Sequence, residues 1–294
     1  MSSSITRPGI VIGIDGSAAS KVAVEWGARD AAMRNVPLTL AHVVTGLGGT
    51  WPTAPLPAGI GEWQQRQGRE FIANAVQVAR EATRASVTPD INTEMYYSAA
   101  VPTLVDLSKG AEMLVVGRRG HPGLGNLLGS ISAGVVQHAH CPVAVIHDED
   151  PSMPHRAQAP VLVGIDGSTV SELATAIAFD EASRRQVDLI ALHAWSDAGV
   201  VDFPGMDWAT MKASADEILA ERLSGWQDRY PGVTIHRDVV CDRPAHQLIE
   251  KSQDAQLVVV GSHGRGGFAG MLLGSVSAAV IQSARMPVIV ARRP

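Results

Sequence analysis

The chain is poor in several things, and each shortage removes a class of protein. Two cysteines, Cys141 and Cys241, stand in 294 residues. They fall at positions that match no metal or disulfide spacing, so reduced thiols are expected. Basic charge is not in surplus: 24 Lys and Arg face 29 Asp and Glu, a formal net charge of -5. Sequence-independent attraction to nucleic acid or anionic lipid requires the opposite balance. No apolar run reaches the ~18 residues that a membrane helix needs, so membrane insertion is not expected. Met1 to Pro8 lacks the basic-then-apolar order of a secretory signal, which leads to the expectation of a cytoplasmic protein. Aromatic residues are only 4% of the chain. Of these, Trp51, Trp63, Trp195 and Trp208 sit in or near long crossovers, where they read as lids or packing residues rather than as stacking platforms for nucleic acid.

What the chain does have is a repeat. Gly13-Ile14-Asp15-Gly16-Ser17 returns as Gly164-Ile165-Asp166-Gly167-Ser168, and the 151 positions between Asp15 and Asp166 also separate His42 from His193. Each copy closes alike, with an apolar run into a glycine-rich loop and a Gly-Ser pair. These are Leu114-Val115-Val116-Gly117 to Gly129-Ser130, and Val258-Val259-Val260-Gly261 to Gly274-Ser275. Two halves of ordinary domain size follow, each long enough for its own core. The expected boundaries are 1–148, a polar, proline-containing linker at 149–159, and 160–294.

Within each half, apolar strand-like runs alternate with stretches of helical periodicity. The first half reads as strand at Ile10 to Ile14, helix from Ala18 with Ser17 as its N-cap, strand at Leu38 to Val44, and helix from about Glu62 to Ala85. Strand near Thr93 to Tyr97, helix from about Pro102, strand at Met113 to Gly117, helix from Ser130 and strand at Val143 to His147 complete it. The second half repeats the order. Val/Ile/Leu strands separated by helices predict a parallel sheet covered on both faces, with right-handed crossovers. The expected fold is α/β: two doubly wound parallel five-stranded sheets in strand order 3-2-1-4-5, helices on both faces, in tandem. The final strands are apolar and fall at sheet edges, where unpaired backbone invites a partner.

In such sheets ligands sit beyond the carboxyl ends of strands where the order reverses. Asp15 and Asp166 end the first strand of each half, beside the loop that follows the fourth. An Asp before a Gly is also a common turn residue; its place at the reversal point, twice, favours a ligand role. The second-half loop runs from Gly261 through Ser262, His263, Gly264, Arg265, Gly266 and Gly267 to Gly274, and Ser275 opens a helix. A helix start offers unpaired N–H groups and about half a positive charge, which together attract anions. The competing reading is a plain turn with Ser275 as N-cap. The motif His138-Ala139-His140-Cys141 is taken as a helix end, because no second cluster completes a metal set.

With Asp15 and Asp166 at the first strand end, and Gly-x2-Gly-x9-Gly-Ser in Gly261, Gly264, Gly274 and Ser275, the chain resembles the ATP-binding branch of the universal stress protein family, in its tandem form. The resemblance implies that the strand-one Asp and the backbone after strand two hold the adenosine end, and that the glycine loop and helix start hold ribose and phosphates. Carried onto this sequence, it places Gly13, Asp15, Val43, Gly117, Gly120, Gly123, Gly129, Ser130, Ile131 and Ser132 around one ATP. Gly164, Asp166, Ala194, Gly261, Gly264, Gly266, Gly267, Gly274, Ser275, Val276 and Ser277 surround the other. ATP carries roughly four negative charges, more than a helix start can neutralise. Arg118, Arg119 and His121 in one loop, and His263 and Arg265 in the other, are candidates to complete the charge, as is Mg2+ held by the phosphates. The first half departs from the pattern, with eight residues between Gly120 and Gly129 where the second has nine, and with Pro122 where Gly266 would donate an N–H.

The resemblance further implies a stress-response regulator that senses adenine nucleotide, acts as a homodimer and engages a protein partner that the sequence does not identify. A slow ATPase or phosphotransferase is the alternative, although neither half has Gly-x4-Gly-Lys-Ser/Thr. A third reading is a scaffold with a structural nucleotide, or a flavin-holding relative of the fold.

Overall fold

A computed structural model of the chain describes residues 9–45, 59–118, 128–147, 156–194, 208–264 and 272–292. The chain divides into two units that change over between Asp148 and Glu149.

The first unit runs β1 (Ile10–Ile14), α1 (Ala18–Arg34), β2 (Leu38–Val44), α2 (Ile60–Ala82), β3 (Ile91–Tyr97), α3 (Ala100–Ser108), β4 (Met113–Gly117), α4 (Ser130–His138) and β5 (Val143–Ile146). Its strands lie in the order β3-β2-β1-β4-β5 with every neighbouring pair parallel. The second unit runs β6 (Val161–Gly164), α5 (Thr169–Arg185), β7 (Leu189–Ala194), α6 (Trp208–Arg229), β8 (Ile235–Val240), α7 (Pro244–Lys251), β9 (Leu257–Gly261), α8 (Ser275–Ser283) and β10 (Val288–Ala291). Its order, β8-β7-β6-β9-β10, is the same pattern, again all parallel. The doubly wound sheet with reversal between its first and fourth strands is therefore present in both units.

The composition of each strand follows its place. β4, β5, β9 and β10 are covered on both faces and are buried almost throughout, so they read as unbroken Val/Ile/Leu/Ala runs. The strands at the opposite edge of each sheet, β3 and β8, differ. β3 exposes Asn92, Thr93 and Glu94, and β8 exposes His236 and Arg237, polar groups that discourage pairing with stray strands. That polarity explains why the sequence places the start of the third strand at Thr93, whereas the ladder with β2 extends back to Ile91.

The helices that cover the central strands do so with small residues. Ala23, Ala28 and Ala31 of α1 and Ala174, Ala178 and Ala182 of α5 are fully buried. On α1, a Cβ at Gly27 would lie 2.6 Å from Cδ1 of Ile12. The helix axis thus rides close to the sheet, a contact that one methyl group would push apart. Both helices start on a serine cap, Ser17 accepting from the Ser20 amide at 3.1 Å and Ser168 from the Ser171 amide at 3.2 Å. Both end on a left-handed residue, Asn35 and Gln186, whose amides close back onto the last turn. The Ser168 cap sets the start of α5 at Thr169. Each helix also carries a buried ion pair one turn before its end, Asp30 with Arg34 at 2.7 Å and Glu181 with Arg185 at 2.9 Å.

Candidate functional site

The end of β1 or β6 turns sharply into the following helix, and the aspartate organises that turn. Oδ1 of Asp15 accepts from the Ser17 amide at 3.0 Å, and Oδ1 of Asp166 from the Ser168 amide at 2.8 Å. The intervening Gly16 and Gly167 have φ of +78° and +80°, a left-handed conformation that glycine adopts without strain. One carboxylate oxygen is thus used in the turn. In the second unit Oδ2 of Asp166 lies 2.8 Å from the position a Cβ on Gly264 would take. The loop after β9 therefore passes directly against the carboxylate, and a side chain at Gly264 would make the carboxylate or the loop shift.

The same loop reaches the helix that follows it. The Gly274 amide donates to the Ser262 carbonyl at 2.7 Å, and a Cβ on Gly274 would lie 3.3 Å from Cα of His263. Asp166, His263, Gly264 and Gly274 consequently meet in one place, at the reversal point of the sheet. In the first unit the Gly129 amide donates to the Arg118 carbonyl at 3.0 Å, an equivalent closure.

Gly129 and Gly274 are the N-caps of α4 and α8, and neither helix has a side-chain cap. Ser275 is the first helical residue, and Gly274 rather than Ser275 is the cap. A helix start without a side-chain cap is of the kind that attracts anions. Ser130, Ile131 and Ser275 are exposed, and Val276 is half-buried. Ser132 and Ser277 are placed otherwise: both are buried, and their hydroxyls donate to the Gly117 carbonyl at 2.7 Å and the Gly261 carbonyl at 2.5 Å. These two side chains pin the helix start to the strand end.

Four further glycines named from the sequence serve packing. A Cβ on Gly13 or Gly164 would meet Leu104 of α3 or Leu248 of α7 at 3.2 and 3.1 Å. One on Gly117 would meet the Ala19 carbonyl at 2.8 Å, and one on Gly261 the His263 carbonyl oxygen at 3.1 Å. Val43 and Ala194, one residue past His42 and His193, are half-buried at the ends of β2 and β7. Arg119, Gly120, His121 and Gly123, and Arg265, Gly266 and Gly267, lie outside the described residues.

His42 and His193 hold the strand ends in place. Nδ1 of each donates to a carbonyl of the first strand, Ile14 at 2.8 Å and Ile165 at 2.7 Å; a carbonyl only accepts, so the proton sits on Nδ1. Two residues that the sequence-based reading missed stand over the aspartate turns. A Cβ on Gly16 would lie 2.3 Å from the Phe71 ring, and one on Gly167 would lie 2.5 Å from Nη1 of Arg222. The signal was present: 222 less 71 is 151, the spacing of the two aspartates. Following the repeat through α2 and α6 finds the pair.

Among the described residues no group of three or more His, Cys, Asp and Glu side chains could hold a metal ion, and no helix is long and apolar enough to cross a membrane.

Comparison with known proteins agrees with this architecture. The sequence profile of the universal stress protein family matches residues 8–147 and again 159–292. The chain is 58% identical over 293 residues to universal stress protein Rv2623 of Mycobacterium tuberculosis, covering 99% of each. It is 57% identical over 294 residues to universal stress protein Mb2028c of Mycobacterium bovis, covering all of both. The fold is similar to that of a universal stress protein from Archaeoglobus fulgidus, with a TM-score of 0.71 at 21% identity, over 97% of this chain and 96% of that one. Two profile matches in tandem and full-length relatives above half identity place the chain in the universal stress protein family, as a two-domain member.

Proposed function

We propose that each unit, within 1–148 and 160–294, binds one adenine nucleotide, with ATP the ligand best suited to the site, and that occupancy regulates what the protein associates with during stress. The observation that carries this reading is the meeting of Asp166, Gly264 and Gly274 beside the uncapped start of α8. A carboxylate is a poor neighbour for phosphate but a good acceptor for ribose hydroxyls or an adenine amino group. A glycine-lined helix start suits the anionic end. The two chemistries lie side by side, as a nucleotide requires.

Phosphate charge in excess of the helix start would be met by the loop cations Arg118, Arg119, His121, His263 and Arg265, or by Mg2+ shared with water. The protein is proposed to act in the cytoplasm, as a homodimer with a further protein partner. Binding energy is sufficient for such a role: micromolar affinity is about 8 kcal/mol, enough to bias a loop or an interface.

The direct test is to denature purified protein and identify the released small molecule by mass spectrometry, with titration calorimetry of ATP on the stripped protein. Adenine nucleotide in the supernatant and a saturable heat support the reading. Protein that carries none and gives no heat with ATP ends it. Hydrolysis is read in the same preparation: turnover above a few per minute that Asp166→Ala abolishes would favour an ATPase instead.

A further inference from the structure

The position that covers the aspartate turn differs in chemistry between the two units. Phe71 of α2 covers Gly16, and Arg222 of α6 covers Gly167, at the same point of the repeat. In the first unit the covering group is a half-buried ring, set edge-on against His42 with centroids 5.5 Å apart at 75°. In the second it is an exposed guanidinium that, among the described residues, makes no hydrogen bond or ion pair.

An arginine packed on the turn beside Asp166, with no ion pair among the described residues, is a charge held ready for an anion. Arg is protonated at every physiological pH, and its fork matches phosphate oxygens. A phenyl ring at the same point offers no charge and favours an apolar or aromatic ligand face. We propose that position 71/222 sets ligand preference in the two sites: Arg222 makes the second site select polyphosphate, and Phe71 leaves the first site indifferent to phosphate number. This rests on the adenine-nucleotide reading above and adds a division of labour to it. One site would follow the charged energy carrier, while the other would accept the less charged adenine compounds that accumulate as ATP is spent.

A unit charge a few ångströms from a phosphate in a surface site changes affinity on the order of tenfold, and salt screens it. The test is calorimetric titration of stripped, full-length protein with ATP and separately with adenosine, at low and high salt. The proteins compared are wild type, Arg222→Gln, Arg222→Lys and Phe71→Arg. Arg222 is exposed, so the Gln and Lys variants should keep the fold, as circular dichroism would verify. The expected result is about tenfold weaker ATP binding at one site in Arg222→Gln, with adenosine binding within twofold of wild type. Arg222→Lys should restore most of the loss, and Phe71→Arg should add salt-sensitive ATP preference at the other site. Equal loss of ATP and adenosine in Arg222→Gln, or no loss of either, overturns the assignment while leaving nucleotide binding intact. Wild-type protein that binds neither ligand overturns the adenine reading itself, and this assignment with it.

Discussion

Oδ2 of Asp166 stands 2.8 Å from where a Cβ on Gly264 would begin. Real Cβ atoms do not approach that closely, so a methyl there would force the carboxylate or the loop to shift.

Gly264→Ala tests this contact. The methyl would displace either the carboxylate or the loop, and the site would lose its shape without losing its core. The expected outcome is roughly tenfold or greater loss of ATP affinity by calorimetry, with a thermal midpoint within a few degrees of wild type. Unchanged affinity would mean that the loop and the carboxylate do not act on one ligand.

Asp166 has two roles that substitution can separate. Asp166→Asn keeps an oxygen for the Ser168 amide, so the turn survives while the charge is lost. Asp166→Ala removes both and should cost about 1 kcal/mol of stability in addition. Nucleotide affinity should fall in both variants and the thermal midpoint mainly in the second, by about 2–4 °C for a unit of this size.

The two helix starts are not equal. The first loop is one residue shorter, and Pro122 lacks the amide that Gly266 keeps. Gly274→Trp should therefore remove more bound nucleotide than Gly129→Trp, as measured by mass spectrometry of the material released from each variant. Equal losses would contradict the ranking.

The cysteines give a test of the core. Cys141 is buried, and burial pushes its thiol up to about 12 from an ordinary value of 9.0. Cys241 is only partly covered. At pH 8 a thiol reagent should titrate one cysteine quickly in native protein and two after denaturation. The shift also has a sign. The unfolded thiol ionises near 9.0 and the folded one does not, so the stability attached to Cys141 is fully present below pH 9 and is lost as pH rises towards 12. A Cys141→Ala variant should lack that part of the alkaline decline.

Much of the fold was legible because the local and global signals agree. Ile10–Ile14 and Leu257–Gly261 are apolar on both faces, which only a covered parallel sheet accommodates, and Ser17 marks the start of α1 in both sequence and structure. The reading weakened where polarity was dictated by position in the sheet: β3 looks half polar because it is an edge, and its start was placed two residues late.

The candidate site was legible in part. Asp15, Asp166, Gly129 and Gly274 were found from the repeat, since their types are demanded by turns and helix starts that the sequence encodes locally. The roles of other residues depended on distant neighbours. Nothing local tells that Gly13 and Gly164 make room for Leu104 and Leu248, or that the hydroxyls of Ser132 and Ser277 are taken by strand-end carbonyls.

By itself, the sequence determined the duplication and the alternation of strand and helix, because periodicity and turn chemistry act within a few residues along the chain, while its Asp and Gly-Ser motifs carried the resemblance to the family. Only the tertiary structure decided that Gly264 abuts Asp166, that α8 begins uncapped, and that Arg222 occupies in one unit the place of Phe71 in the other. Those are meetings across loops and between helices, set by how close the packed layers come, and no local pattern carries that distance.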